Sequence, residues 1–329
     1  MSVLVGDIGG TKTGLAIAEV SEGAANGITL AQERRYPSNE FASLADIVER
    51  FVEETGADCE LASFAIAGPV VDDRSKTTNL PWELDARALA GRLGFRRARL
   101  LNDLEAVAWG VAALGDGDLA ELHAGESDAG QGGNACVVAA GTGLGEAGLY
   151  WDGRRHHAFA TEGGHTDFAP TNDREFDLFK HLRQRFGHVS WERVVSGMGI
   201  GNLYLFLARS HGAEHPAEVA TALASAGDLA AAVAVEAGGG CPVCAETMDL
   251  FALLYGREAG NMALKHMALG GVFLGGGIAP KNLGLLRNGG FMRGFLDKGR
   301  MRPLMQRMPV RVILEPRTPL LGAARFLLS

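Results

Sequence analysis

The sequence predicts an α/β chain built in two lobes, and three observations carry that expectation. The 329 residues exceed what one hydrophobic core serves, because cores stop growing at roughly 250–300 residues and chains then divide. Short apolar strand patterns alternate with helical ones on both sides of a middle stretch. That stretch, 115–134 (GDGDLAELHAGESDAGQGGN), is poor in large apolar residues and rich in Gly, Asp and Ser, which suits a loop or lobe junction.

In order along the chain, Val3-Leu4-Val5 and Leu15-Ala16-Ile17-Ala18 are apolar runs around a Gly-rich turn, which predicts a hairpin. Leu44, Ile47, Val48, Phe51 and Val52 follow i, i+3, i+4 spacing, and Gly56 is placed to end that helix. A strand at 64–67, a turn at Gly68-Pro69, a helix at 84–93, a strand at 99–101 and a helix at 104–114 complete the first lobe. Beyond the junction, 135–140 reads as a buried strand, 250–269 as a long helix and 271–277 as a buried strand entering a turn. A strand at 310–314 and a helix at 320–328 form a tail expected to return to the first lobe. The expected partition is a small lobe of residues 1–114 plus 312–329 and a large lobe of 115–311. No repeat of fixed short period is found.

Composition narrows the function. With 31 Lys+Arg against 39 Asp+Glu the formal net charge is −8, so the surface as a whole repels nucleic acid and anionic lipid. The N-terminal MSVLVGDIGG lacks a basic segment, and no stretch approaches the roughly 20 apolar residues of a membrane span. Cytoplasmic residence is therefore expected. Four cysteines are too few for a disulfide scaffold. Cys59 and Cys136 read as buried thiols, and Cys241 and Cys244 as two thiols near a helix start, with no second cluster at metal-site spacing.

Three glycine clusters each follow a predicted strand: Gly6-Asp7-Ile8-Gly9-Gly10-Thr11, Gly141-Thr142-Gly143-Leu144-Gly145 and Gly275-Gly276-Gly277. Amides freed of Cβ crowding at such turns can converge on phosphate oxygens. There is no GxxxxGK[ST], and the first cluster leads into a strand instead of the helix that a dinucleotide fingerprint requires. A phosphate-binding hairpin fits better, with Asp7 placed to hold magnesium through its waters; a plain turn is the structural alternative. Asn102-Asp103 ends a strand and opens a helix, where ligands of α/β sheets bind, although Asp is also a common helix cap. Glu162-Gly163-Gly164-His165 puts a carboxylate and an imidazole on one turn, a pairing suited to vicinal hydroxyls. Glu192 is either a further ligand or a first-turn carboxylate.

Taken together, these segments resemble the bacterial glucokinase family of the actin-like sugar kinases. The matching text is GDIGGTKTGLAIAE, LLNDLEAVAWG, AAGTGLGEAGL, TEGGHTDFAP, ERVVSGMGIGNLY, GGVFLGGGI and FLDKGR, in order from end to end. The resemblance implies a two-lobe actin-like ATPase (ribonuclease H-like) fold with its active site in the interlobe cleft. It implies ATP and Mg2+ as cofactors and transfer of the γ-phosphate to the 6-hydroxyl of glucose, feeding glycolysis. It implies Asp103 as general base and Asn102, Asp103, Glu162, His165 and Glu192 as glucose ligands. Gly6 to Thr11 and Gly141-Thr142-Gly143 would meet the ATP phosphates, and Gly275-Gly276 the adenosine side. A homodimer is a further family expectation.

The neighbouring family of repressors and kinases shares the first motif and a phrase like Asn79-Leu80-Pro81-Trp82, but carries a cysteine-rich zinc motif beside its sugar-binding His. Here Thr166-Asp167-Phe168 follows His165. The rival readings are a kinase for mannose or fructose, a sugar-sensing regulator and an actin-like assembly ATPase. A regulator would need a helix-turn-helix ahead of the first strand, yet five residues precede Gly6. An assembly ATPase leaves the Glu162, His165 and Glu192 set without a purpose.

Overall fold

A computed structural model describes residues 1–20, 27–77, 80–126, 132–211 and 217–329. They divide into two compact units, one of Met1–Leu119, Ala147–Ala160 and Leu314–Ser329, the other of Ala120–Glu146 and Thr161–Ile313.

The chain opens with β1 (Ser2–Ile8), β2 (Lys12–Val20) and β3 (Ile28–Pro37), followed by α1 (Leu44–Thr55) and β4 (Leu61–Ile66). A small hairpin of β5 (Arg74–Lys76) and β6 (Glu83–Asp85) precedes α2 (Ala86–Leu93), β7 (Arg97–Asn102) and α3 (Asp103–Val111). The first sheet has the order β3-β2-β1-β4-β7. Its first three strands are antiparallel, while β4 runs parallel to β1 and β7 to β4. Period-two alternation sends Val3 and Val5 to one face and Leu4 and Ile8 to the other. The Leu4 face packs against Leu44, Ile47, Val48 and Phe51 of α1. Gly56, in the left-handed region at φ 66°, closes that helix as its position predicts. Leu84 lies in β6 and not in a helix, because the Asp85 carboxylate accepts the Arg87 and Ala88 N–H groups and starts α2 one residue later.

The second half begins with β8 (Leu119–His123), β9 (Ala135–Ala140), β10 (Leu144–Trp151) and β11 (His156–Thr161). The helices α4 (Asp173–Phe186), α5 (Gly197–His211), α6 (Ala217–Ser225), α7 (Leu229–Gly238) and α8 (Pro242–His266) follow. Then come β12 (Gly271–Gly275), the short helices α9 (Ile278–Lys281), α10 (Leu283–Arg287), α11 (Gly290–Leu296) and α12 (Arg302–Met305), β13 (Val310–Ile313) and α13 (Thr318–Leu328). The second sheet has the order β11-β10-β9-β12-β13-β8, with β9, β12 and β13 parallel. No single helix among the described residues is long and apolar enough to cross a membrane.

Two expectations change here. The stretch 115–134 contains β8, which is added outside β13, so its Leu and Ala residues serve a sheet edge; residues 127–131 lie outside the described residues. The tail divides: its strand β13 pairs with β12, whereas α13 packs against β1, β4 and α3 through Leu320, Ala323 and Ala324. Cys136 is buried as expected and Cys59 only half-buried, while Cys241 immediately precedes α8 and Cys244 lies in its first turn, neither in a disulfide.

Counted from β1 in the first sheet and from β9 in the second, with the added edge strand β8 left out, both follow the order 3-2-1-4-5. The repeat is one of topology, invisible as a sequence period.

Candidate functional site

The predicted residues gather into two sets, each inside one unit. In the first, the β1/β2 ladder runs through Ile8↔Thr13 and the Gly9 N–H donates to the Lys12 carbonyl at 3.0 Å, so the turn is Gly10-Thr11 alone. Gly6, Asp7 and Ile8 are strand residues, a shorter turn than the glycine spacing suggests. Gly6 is needed for packing: a Cβ there would lie 2.7 Å from Phe64 Cδ1 and 2.9 Å from Leu15 Cδ2. Ser38 braces the turn, its hydroxyl donating to the Gly9 carbonyl at 2.8 Å and pairing with Thr13 Oγ1 at 3.0 Å. The Gly10 and Thr11 N–H groups have no protein acceptor among the described residues, as an anion-binding turn requires.

Asp7 sits between Gly14 and Ala65 in register, two small residues that leave room for its carboxylate. Burial pushes its pKa up to about 6, opposed in part by the positive charge of Arg35. One carboxylate ligand suits magnesium, which keeps most of its waters.

At the C-terminal end of β7, Asn102 and not Asp103 caps α3. Its Oδ1 accepts the Leu104 and Glu105 N–H groups at 2.9 and 3.2 Å, and its Nδ2 donates to the Gly68 carbonyl at 3.0 Å. Asp103, which position alone suggests as the cap, follows the capping residue. It is the first helical residue, half-buried, with Oδ1 accepting the Leu104 N–H at 2.9 Å. Because β1, β4 and β7 are parallel, the Gly10-Thr11 turn, Gly68 and Asn102-Asp103 all lie beyond the same ends of three neighbouring strands.

The second set is built at the ends of β9 and β12, which pair in register Gly275↔Ala139. The Gly141 N–H donates to the Gly143 carbonyl at 2.9 Å, leaving Thr142 exposed at the tip. Gly276 has φ 75°, and a Cβ there would collide with the Ala140 carbonyl, so the Gly275-Gly276 turn lies directly beside the Gly141 loop.

Glu192 joins this loop to the polar turn. Its Oε2 accepts the Leu144 N–H at 3.0 Å and occupies the space a Cβ at Gly143 would need. Backbone bonds from Trp191 N to the Thr166 carbonyl (3.0 Å) and from Phe168 N to the Val189 carbonyl (2.9 Å) tie the Glu192 segment to Glu162–Phe168. His165 Nε2 stands 3.9 Å from Glu162 Oε2, and both side chains are well exposed. The two glycines between them are closely packed: a Cβ at Gly163 would collide with Glu146 Oε2, and one at Gly164 with the Leu144 carbonyl.

Three further residues escape sequence reasoning. Ser38 is one, and no local pattern marks it. His188 is another, its Nε2 bonded to the His165 carbonyl at 3.0 Å and its Nδ1 3.5 Å from Asp167 Oδ1. Glu146 is the third; a lone charge in the otherwise apolar strand LGEAGLYW was its signal. Asn79 of the Asn79-Leu80-Pro81-Trp82 phrase lies outside the described residues, while Trp82 is buried in the first core.

The glucokinase family profile matches residues 4–329. A glucokinase of Synechocystis sp. is 41% identical, covering 98% of this chain and 97% of its own, and one of Nostoc punctiforme is 42% identical over the same shares. Among solved structures, a glucokinase from an Antarctic psychrotroph superposes with TM-score 0.83 at 31% identity, covering 99% of this chain and 98% of its own. The doubled 3-2-1-4-5 sheets are those of the two-lobe actin-like ATPase fold, and the chain belongs to the glucokinase family.

Proposed function

We propose that the chain transfers the γ-phosphate of ATP to the 6-hydroxyl of glucose, giving glucose 6-phosphate. The observation that carries this reading is the Glu192 carboxylate: it accepts the Leu144 N–H of the glycine loop while its segment is bonded to the Glu162–His165 turn. Hydroxyl-binding groups and phosphate-turn amides thus form one braced assembly.

In this mechanism the Glu162 and Glu192 carboxylates accept hydrogen bonds from the sugar hydroxyls, the His165 imidazole pairs with a further hydroxyl, and Asn102 donates its second Nδ2 hydrogen to the sugar. Asp103 accepts the proton leaving the 6-hydroxyl as that oxygen attacks, a step generally worth about 10²–10⁴-fold. The Gly10 and Thr11 amides and those of Gly141 to Gly143 hold phosphate oxygens, while Gly275-Gly276 borders the adenosine. Asp7 would hold a magnesium ion through water, and the ion, when bound, would supply positive charge to neutralise the triphosphate. Magnesium, a homodimeric assembly and cytoplasmic residence belong to the same proposal.

The test is a coupled kinase assay of the purified protein against glucose, mannose, fructose and amino sugars, with ATP, ADP and polyphosphate as donors. Glucose with ATP is expected to give the highest kcat/KM. Asp103→Asn is expected to lower kcat by about 10²–10⁴-fold with glucose Kd within about threefold; near wild-type turnover would remove Asp103 from the role of base. Preference for mannose or fructose would reassign the substrate, and no turnover of any hexose would favour a sugar-sensing regulator.

A further inference from the structure

Glu146 of β10 and Glu258 of α8 are both fully buried. No N–H or O–H donor among the described residues reaches either oxygen of Glu146 or Oε1 of Glu258; Glu258 Oε2 accepts the Asn261 Nδ2 hydrogen at 2.8 Å. The two carboxyls are within hydrogen-bonding reach of each other, and such a bond exists only if one of them carries a proton. Two adjacent buried carboxylates cannot both ionise without a large desolvation and repulsion cost. The cations nearby do not neutralise them directly. Lys298 of the FLDKGR segment gives its Nζ hydrogens to Asn261 Oδ1 (2.7 Å) and the Arg257 carbonyl (3.0 Å), and Lys265 acts only through its field. The other titratable groups facing the pair, Cys136 of β9 and Tyr255 of α8, are neutral, and the pair's own charge would raise their pKa further.

Above this pair lies the polar turn. The backbone of Gly163 rests on Glu146 Oε2, in the space where a Cβ would otherwise stand, and Thr161 Oγ1 donates to the Glu146 carbonyl at 2.9 Å.

We propose that Glu146 and Glu258 share one proton, and that this singly charged, hydrogen-bonded pair is the support that holds the Glu162–His165 turn in its sugar-binding geometry. Glu146 is thus a positioning residue, and the inference rests on the reading of Glu162 and His165 as glucose ligands. Loss of the shared proton places two like charges in contact, forces them apart and moves the turn lying on Oε2. Burial and the Glu258 charge push the Glu146 pKa up to about 9, so the support is intact at neutral pH and fails in alkali.

The experiment measures glucose KM, ATP KM and kcat from about pH 7 to pH 10 in wild type and Glu146→Gln. In wild type, glucose KM is expected to rise above about pH 9, approaching tenfold per pH unit, while ATP KM stays level. Gln supplies permanently the N–H that the shared proton supplies, so Glu146→Gln should keep neutral glucose KM within about threefold and lose the alkaline rise. An unchanged alkaline rise in Glu146→Gln overturns the proposal. If that variant does not fold, carbon-13 NMR of wild type labelled at the glutamate carboxyls decides: one signal still protonated at pH 7 supports the shared proton, and full ionisation of all glutamates by pH 7 overturns it. Glu162→Gln and His165→Ala separate the two readings. If neither raises glucose KM at pH 7, the sugar-site assignment fails; if both do and the alkaline rise persists in Glu146→Gln, only the shared-proton proposal fails.

Discussion

Asp7 shows how one buried carboxyl can oppose folding. Its carboxyl titrates near pH 6 in the folded chain, against 3.8 ordinarily. At pH values below both, neither state is ionised and the residue is neutral toward stability. Between them the unfolded chain ionises first, so stability falls as pH rises, and the full penalty is present above about pH 6. Asp7→Asn is therefore expected to melt above wild type at about pH 7.5 in the absence of ligands, with the gap closing toward pH 4, while ATP turnover falls. Thermal scans across pH with a parallel kinase assay check both; equal melting at every pH would remove the penalty. The sequence pointed to Asp7 from its glycine neighbours but could not distinguish a carboxylate in bulk water from one between Gly14 and Ala65. Asn102 and Asp103 show the same limit. Either could cap α3 by type, and the Gly68 carbonyl, 34 residues away, locks Asn102 into that role.

At the scale of elements, the glycine clusters were legible as turns after strands, but the reason for each glycine was not. Gly141 has open space where a Cβ would stand, whereas Gly143 and Gly164 are pressed against Glu192 and the Leu144 carbonyl. Gly164→Ala should destabilise by about 1–3 kcal/mol, the usual cost of overpacking, and should raise glucose KM by displacing His165; Gly141→Ala should leave stability within about 0.5 kcal/mol. Urea unfolding of the two variants measures the contrast, and equal losses would mean the Gly163-Gly164 backbone can move aside. Helix α8 makes a related point. Its composition predicted a long helix but not its burial: Arg257 on it is 8% exposed and donates through Nη1 to both oxygens of Glu175 at 2.5 Å. Asn172 and Thr171 complete the Glu175 shell. Arg257→Ala strands a buried carboxylate and should cost about 3–5 kcal/mol, readable by chemical denaturation; a loss below about 1 kcal/mol would show that Glu175 simply protonates.

For the molecule as a whole, the strand and helix patterns sufficed to predict an α/β chain because apolar periodicity is a local property: β1, β2, α1, β7 and β12 appear where their residues place them. Family membership was equally legible, since seven motifs occur in order along nearly the full length. Edge strands were less so. β8 lies in a stretch too polar to read as a strand, because an edge buries only part of each residue, and its partner β13 begins nearly 200 positions later. The sequence by itself determined the elements, their class and the candidate residues, all of which depend on spacing within a few tens of positions. Tertiary structure alone decided the doubled sheet order, the bracing of Glu192 on the glycine loop and the burial of Glu146 against Glu258. Those depend on through-space packing between residues 48 and 112 positions apart, where desolvation and steric exclusion, set by neighbours distant in the chain, govern which atoms can meet.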